Sequence, residues 1–217
     1  MDKPFENLPY GIDMVFCFDM TGGMVALEGF IYEFKDFYVN YNESFEACGR
    51  EIKKFRIRFV LFKDYAVDPE PMVESQFFTL PEDMEEAFAF AATVGKGGGG
   101  DLPENSLEAL SIAMDSEWDN EYDLRRRIIV LVTDASPLAL GKRADCPAYP
   151  ENMPKSIEEL REKWDSLGRW RRMYLFAPSC EEWDRLCEWD CVWQTQIPAG
   201  ACASDVEYFP VLVDSFY

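Results

Sequence analysis

Two apolar runs of the chain each end on an aspartate. The stretch DMVFCFDMTGGM, Asp13 to Met24, leaves its hydrophobic part at Asp19 and turns through small residues, and IIVLVTDASP does the same at Asp134. Thr21 follows Asp19 by two residues, so its hydroxyl and that carboxylate are able to point into one crevice. A glycine-rich loop, GKGGGGDLPE, adds Asp101 and Glu104. Carboxylates and a hydroxyl make an all-oxygen set suited to a hard cation, Mg2+ with Mn2+ or Ca2+ as alternatives. The chain has no histidine, which removes imidazole bases, Ser-His and Cys-His nucleophile pairs and imidazole zinc sites.

These residues need a scaffold that brings strand ends together. Apolar runs recur at Ile12 to Phe18, Phe55 to Phe62, Ile128 to Val132, Met173 to Ala177 and Cys191 to Ile197, and they read as strands. IDMVFCF and IIVLV are nearly continuous in hydrophobicity, the pattern of parallel strands covered on both faces. Val73 to Leu80 follows the second run too closely for a helical crossover, which predicts one antiparallel edge strand. Between the strands, Leu27, Phe30, Ile31, Phe34, Phe37, Tyr38 and Tyr41 share a helical stripe. A second helix is predicted from Pro81, with Met84, Phe88 and Ala91 on one face. A third starts with a capping box of Asp101 and Glu104, with Leu107, Leu110 and Met114 facing inward. A fourth spans Ser156 to Arg169. Residues 138–155, with three prolines, read as a long surface loop. The expectation is one α/β domain over residues 1–217, Rossmann-like, with a six-stranded mainly parallel sheet and helices on both faces. In such sheets ligands bind beyond the carboxyl ends of the strands.

With these motifs in this order, the chain resembles a von Willebrand factor A-type domain, and its acidic cluster resembles that family's metal-ion-dependent adhesion site. Asp19-Met20-Thr21-Gly22-Gly23 is similar to the family's first motif, and Thr133-Asp134-Ala135 to its last. Gly98 to Glu104 resembles the Gly-Gly-Gly-Asp-x-Pro-Glu loop of intracellular and microbial members. Two departures stand out: Gly23 replaces a serine that ligates the metal, and the middle threonine is absent, with Asp101 or Glu104 to take its place. The resemblance implies Asp19, Thr21 and Asp134 as ligands, direct or through water, with Gly22 and Gly23 letting the backbone turn close to the ion. It implies a function in protein-protein recognition and not catalysis, in which a partner's Asp or Glu fills an open position on the Mg2+. Similar bacterial domains accompany kinases, phosphatases or AAA-type ATPases. Asp19-Met-Thr also resembles the start of the haloacid-dehalogenase-type phosphatase motif, so an Mg2+-dependent phosphatase with Asp19 as nucleophile is the rival reading. Here the second aspartate of that motif is Thr21, leaving no general acid. A metal-free scaffold is the third.

Composition narrows the field. Of 217 residues 48% are hydrophobic and 29% charged, enough to bury a core. The net charge of −20 argues against phosphate backbones and anionic membranes, so neither nucleic acid nor membrane is expected as a partner. It also predicts a partner that is basic around its ligating carboxylate. An odd count of seven cysteines and no export signal point to a cytoplasmic protein with reduced thiols. Cys180, Cys187, Cys191 and Cys202 lack the paired spacing of zinc sites and read as small hydrophobes. Trp183, Trp189 and Trp193 read as core, with a partner-binding patch as the other reading. Arg125, Arg126 and Arg127 read as a solvated turn before a buried strand.

Overall fold

The computed structural model describes residues 9–21, 27–95, 97, 103–200 and 212. Its centre is a sheet of β1 (Pro9–Asp19), β2 (Glu51–Phe62), β3 (Met72–Glu74), β4 (Phe78–Leu80), β5 (Leu124–Val132), β6 (Arg171–Ala177) and β7 (Val192–Gln196). Five strands run parallel in the order β2-β1-β5-β6-β7. β1 lies between two parallel neighbours, and every residue from Tyr10 to Asp19 is buried, which is why its sequence shows no alternation.

Among the described residues the expected six strands are seven, and the correction falls on residues 72–80. The run expected as one edge strand is two three-residue strands, β3 and β4, both antiparallel to β2. Between them Ser75 leaves the regular ladder. Its hydroxyl accepts the Phe59 N–H at 2.9 Å, and its carbonyl accepts Arg58 Nε at 2.9 Å. A side-chain oxygen thus replaces a strand carbonyl, and pairing breaks there. Arg125, Arg126 and Arg127 are likewise part of β5 and not of the turn before it.

Helices cover both faces. α1 (Leu27–Ala47) and α2 (Met84–Thr93) lie on one, where Phe30, Phe34, Phe37, Tyr41 and Phe88 meet Phe16, Phe55 and Phe59 of the sheet. The rings of Phe16 and Phe30 meet edge to face with centroids 4.9 Å apart, a preferred aromatic geometry. Each such side chain contributes about 1.5–3 kcal/mol by leaving water. On the other face α3 (Ser106–Met114), α4 (Ile157–Ser166) and α5 (Glu181–Cys187) bury Leu107, Leu110, Leu160, Trp164, Trp183 and Leu186. The Ser156 hydroxyl caps α4 by accepting the Glu159 N–H at 3.2 Å. α3 begins later than its sequence predicts: Asn105 is its N-cap residue, so Glu104 precedes the helix and forms no capping box. Asp101, the other half of that box, lies outside the described residues. Trp183 and Trp189 are core, whereas Trp193 is 45% exposed. Residues 138–155 contain no helix or strand, as expected.

Strand order reverses at β1. From there the chain passes to β2 on one side and later to β5 on the other, the kind of switch point beyond whose strand ends ligands bind in open α/β sheets. Among the described residues no helix is long and apolar enough to cross a membrane.

Candidate functional site

Asp19 is the last residue of β1 and is 1% exposed. Its Oδ1 accepts the Thr21 N–H at 2.9 Å and the Thr21 hydroxyl at 2.7 Å, a tight turn that brings both oxygens to one point. Its Oδ2 accepts the hydroxyl of Thr133, one residue past β5, at 2.6 Å. The register explains this meeting, since Phe18 stands opposite Val132 and the next residues leave the two strands side by side. Burial pushes the Asp19 carboxyl up to about 6, against the pull of its three hydrogen bonds.

Glu104 reaches the same point from another segment. Its backbone is stitched to the loop after β5: Glu104 N–H donates to Ser136 O at 3.0 Å, and Leu138 N–H to Glu104 O at 2.7 Å. Its Oε1 lies 3.0 Å from the Thr21 hydroxyl, while its Oε2 is buried with no hydrogen-bond partner among the described residues. Burial first, and then the nearby Asp19 carboxylate, push the Glu104 carboxyl up to about 7. One hydroxyl proton cannot serve both acids. In metal-free protein, one of the two contacts of Thr21 needs a proton on the carboxylate.

Asp134 stands at the rim, partly buried, its carboxyl raised by burial. Its charge adds to the elevation of both Asp19 and Glu104. The structure therefore brings Asp19, Thr21 and Glu104 into contact and places Asp134 near them. Gly23 and Asp101 lie outside the described residues. Among the described residues no group of three Asp, Glu or Cys side chains is arranged to hold a metal ion.

Other residues crowd this edge, and sequence reading missed them. Asp64, two residues past β2, is 2% exposed; its Oδ1 accepts the Ala66 N–H at 2.7 Å and its Oδ2 lies 3.2 Å from Arg143 Nη2. Gly97 packs against the same turn, where a Cβ would stand 3.0 Å from Lys63 Cγ and 3.1 Å from Asp68 Oδ2. Glu108, fully buried in α3, accepts the Tyr149 hydroxyl at 2.9 Å, and burial lifts its carboxyl to about 7. Asp64 had a signal, since it follows an apolar strand just as Asp19 ends one. Glu108 had none, because its spacing matches an ordinary helix surface.

No protein-family model matches the chain, and no curated protein matches it. Among solved structures its fold is similar to that of the pilus adhesin SpaC from Lactobacillus rhamnosus GG, with a TM-score of 0.53 at 9% identity over 94% of this chain. The match covers 30% of the adhesin, so this chain spans under a third of that protein's length. At such identity the likeness is one of fold alone.

Proposed function

We propose that this protein is a recognition module that holds Mg2+, or Mn2+ or Ca2+, beyond the ends of β1 and β5 and binds a partner protein through an Asp or Glu of that partner. The observation that carries the reading is the Thr21 hydroxyl between two buried carboxylates, with Glu104 Oε2 left without a partner among the described residues. Buried carboxylates without a compensating charge are costly, and the donors present are oxygens, which fit a hard cation. When bound, the cation supplies that positive charge and a position for a partner's carboxylate. Asp19, Thr21 and Glu104 would hold it, with Asp134 at the rim and Asp101 as a further candidate. This chain's own contribution is orientation. Thr133 fixes one oxygen of Asp19 and the Thr21 backbone fixes the other, so the carboxylate is set before anything binds.

The same hydrogen bonds favour binding over phosphoryl transfer, because an Asp19 nucleophile would have to leave donors on both oxygens. The reversal of strand order at β1, and the two strand-end aspartates beside it, support the resemblance to von Willebrand factor A-type domains.

Thermal melting tests the reading. Millimolar Mg2+ should raise the melting temperature, since binding to the folded state alone stabilises by about 2.7 kcal/mol at a hundredfold excess over Kd. Asp19→Ala should abolish the shift. A wild-type curve indifferent to both Mg2+ and chelator refutes metal binding, and turnover of an aryl phosphate lost in Asp19→Asn would turn the assignment to a phosphatase.

A further inference from the structure

The two edges of the sheet are built differently. At one, β3 and β4 are three residues each, interrupted at Ser75, and β3 ends on the charged Glu74. Short, broken and charged edges do not template a further strand. At the other, β7 reads Val192-Trp193-Gln194-Thr195-Gln196, with no charge and no proline in a chain that is 29% charged. The uncharged run continues in sequence to Ser204. Among the described residues β7 pairs only with β6, and its outer side has no strand partner.

This edge is also held rigidly. Gln194 Nε2 donates to Ala177 O and Pro178 O, each at 3.1 Å, which ties β7 to the end of β6. On the opposite face the exposed Trp193 ring stacks on Tyr174 with centroids 5.4 Å apart, and the Arg172 guanidinium lies 5.8 Å from its centroid. A large aromatic fixed on an uncharged edge is the feature that other edge strands avoid.

We propose that β7 pairs with β7 of a second copy, antiparallel about a two-fold axis near Gln194, joining two sheets into one. The sequence is self-complementary in that arrangement. Side-chain alternation puts Trp193 and Thr195 on one face, so Trp193 meets Thr195 of the second copy, an aromatic and β-branched pair of the kind that stabilises antiparallel strands. Glu188 and Asp190 lie in the turn between α5 and β7, outside the paired residues, so no charged side chain stands in the ladder itself. Each copy carries a net charge of −20, so long-range repulsion opposes the pairing and salt strengthens it.

Sedimentation velocity of the full chain, from micromolar to several hundred micromolar and at low and half-molar NaCl, tests this. The expected result is a monomer-dimer equilibrium that moves toward dimer with concentration and with salt, with hydrogen exchange at 192–196 slowing in step. Gln196→Lys, at an exposed position, and Trp193→Glu, beside Arg172, should each weaken the dimer about tenfold or more with the melting temperature unchanged. A protein that stays monomeric throughout overturns the proposal. So does a dimer indifferent to both variants, or a β7 edge already protected in the monomer, which would mean the chain covers it itself.

Discussion

A threonine hydroxyl has one proton to give, and Thr21 meets two carboxylates, Asp19 at 2.7 Å and Glu104 at 3.0 Å. The deficit has a measurable consequence in metal-free protein. Asp19 is raised to about 6, and Glu104 and Glu108 to about 7, each chiefly by burial. A carboxyl with a higher pKa folded than unfolded binds more protons folded, so stability falls as pH rises between the two values. With chelator present, the melting temperature should fall from about pH 4 to about pH 7 and change less above that. Net negative charge acts in the same direction, so the comparison that decides is Glu104→Gln. That variant should flatten part of the profile, melt higher than wild type at pH 8 without metal, and lose the Mg2+ shift. An unchanged profile would mean that Glu104 does not carry the extra proton. Thr133→Val, which removes the donor to Asp19 Oδ2, should cost about 1–3 kcal/mol at pH 8 and less at pH 5, where Asp19 holds more proton. Equal losses at both pH values would mean that Thr133 acts through packing and not through Asp19.

At the scale of elements, what was legible in the sequence was whatever follows a period or an apolar run. The strand ending on Asp19, the one ending before Asp134 and the aromatic stripe of α1 all stand where hydrophobic pattern places them. Pattern failed where a single side chain rewrote backbone pairing. Ser75 splits an apparently continuous strand by supplying an oxygen to Phe59 N–H, and no periodicity announces such a bond. It failed again at Glu104, whose position in Asp-x-x-Glu has the form of a capping box. The two backbone bonds to Ser136 and Leu138 hold residue 104 ahead of the helix and leave its side chain for Thr21. α5 went unread because seven residues give too little period to detect. The loop 138–155 was legible as a loop but not in its attachment: Tyr149 accepts the Gly141 N–H at 3.0 Å and donates to Glu108 at 2.9 Å. Tyr149→Phe should therefore cost about 1–3 kcal/mol, the range for stranding buried polar groups, and speed proteolysis within 138–155. If cleavage in the loop is unchanged, the attachment rests on Arg143 and Asp64 instead.

Across the whole molecule, parallel strands sort charge by end. Arg50, Lys53, Lys54, Arg56, Arg125, Arg126, Arg127, Arg169, Arg171 and Arg172 stand just before or in the first residues of β2, β5 and β6, so they share the edge opposite Asp19 and Asp134. Four of them are neutralised locally, Lys53 by Glu51, Lys54 by Asp119 and Glu121, Arg56 by Asp13 and Arg171 by Asp165. The other six have no carboxylate partner among the described residues, and they leave the far edge more acidic than a net charge of −20 alone conveys. At that far edge stand Asp19, Asp64, Glu104 and Asp134, of which Asp64 pairs with Arg143, and the largely buried Lys63 follows β2 beside them. A partner that brings a carboxylate to a cation there must cross this field, which favours one that is basic around its ligating residue. Its association rate should fall as salt rises, since exposed charges are screened over about 10 Å at 0.1 M. Pairing through β7 has the opposite sign, because salt relieves repulsion between two acidic copies. One salt series therefore separates the two surfaces: partner capture weakens while self-association strengthens. A partner that binds faster in high salt, or whose binding ignores both chelation and Asp134→Ala, would place recognition away from the strand ends.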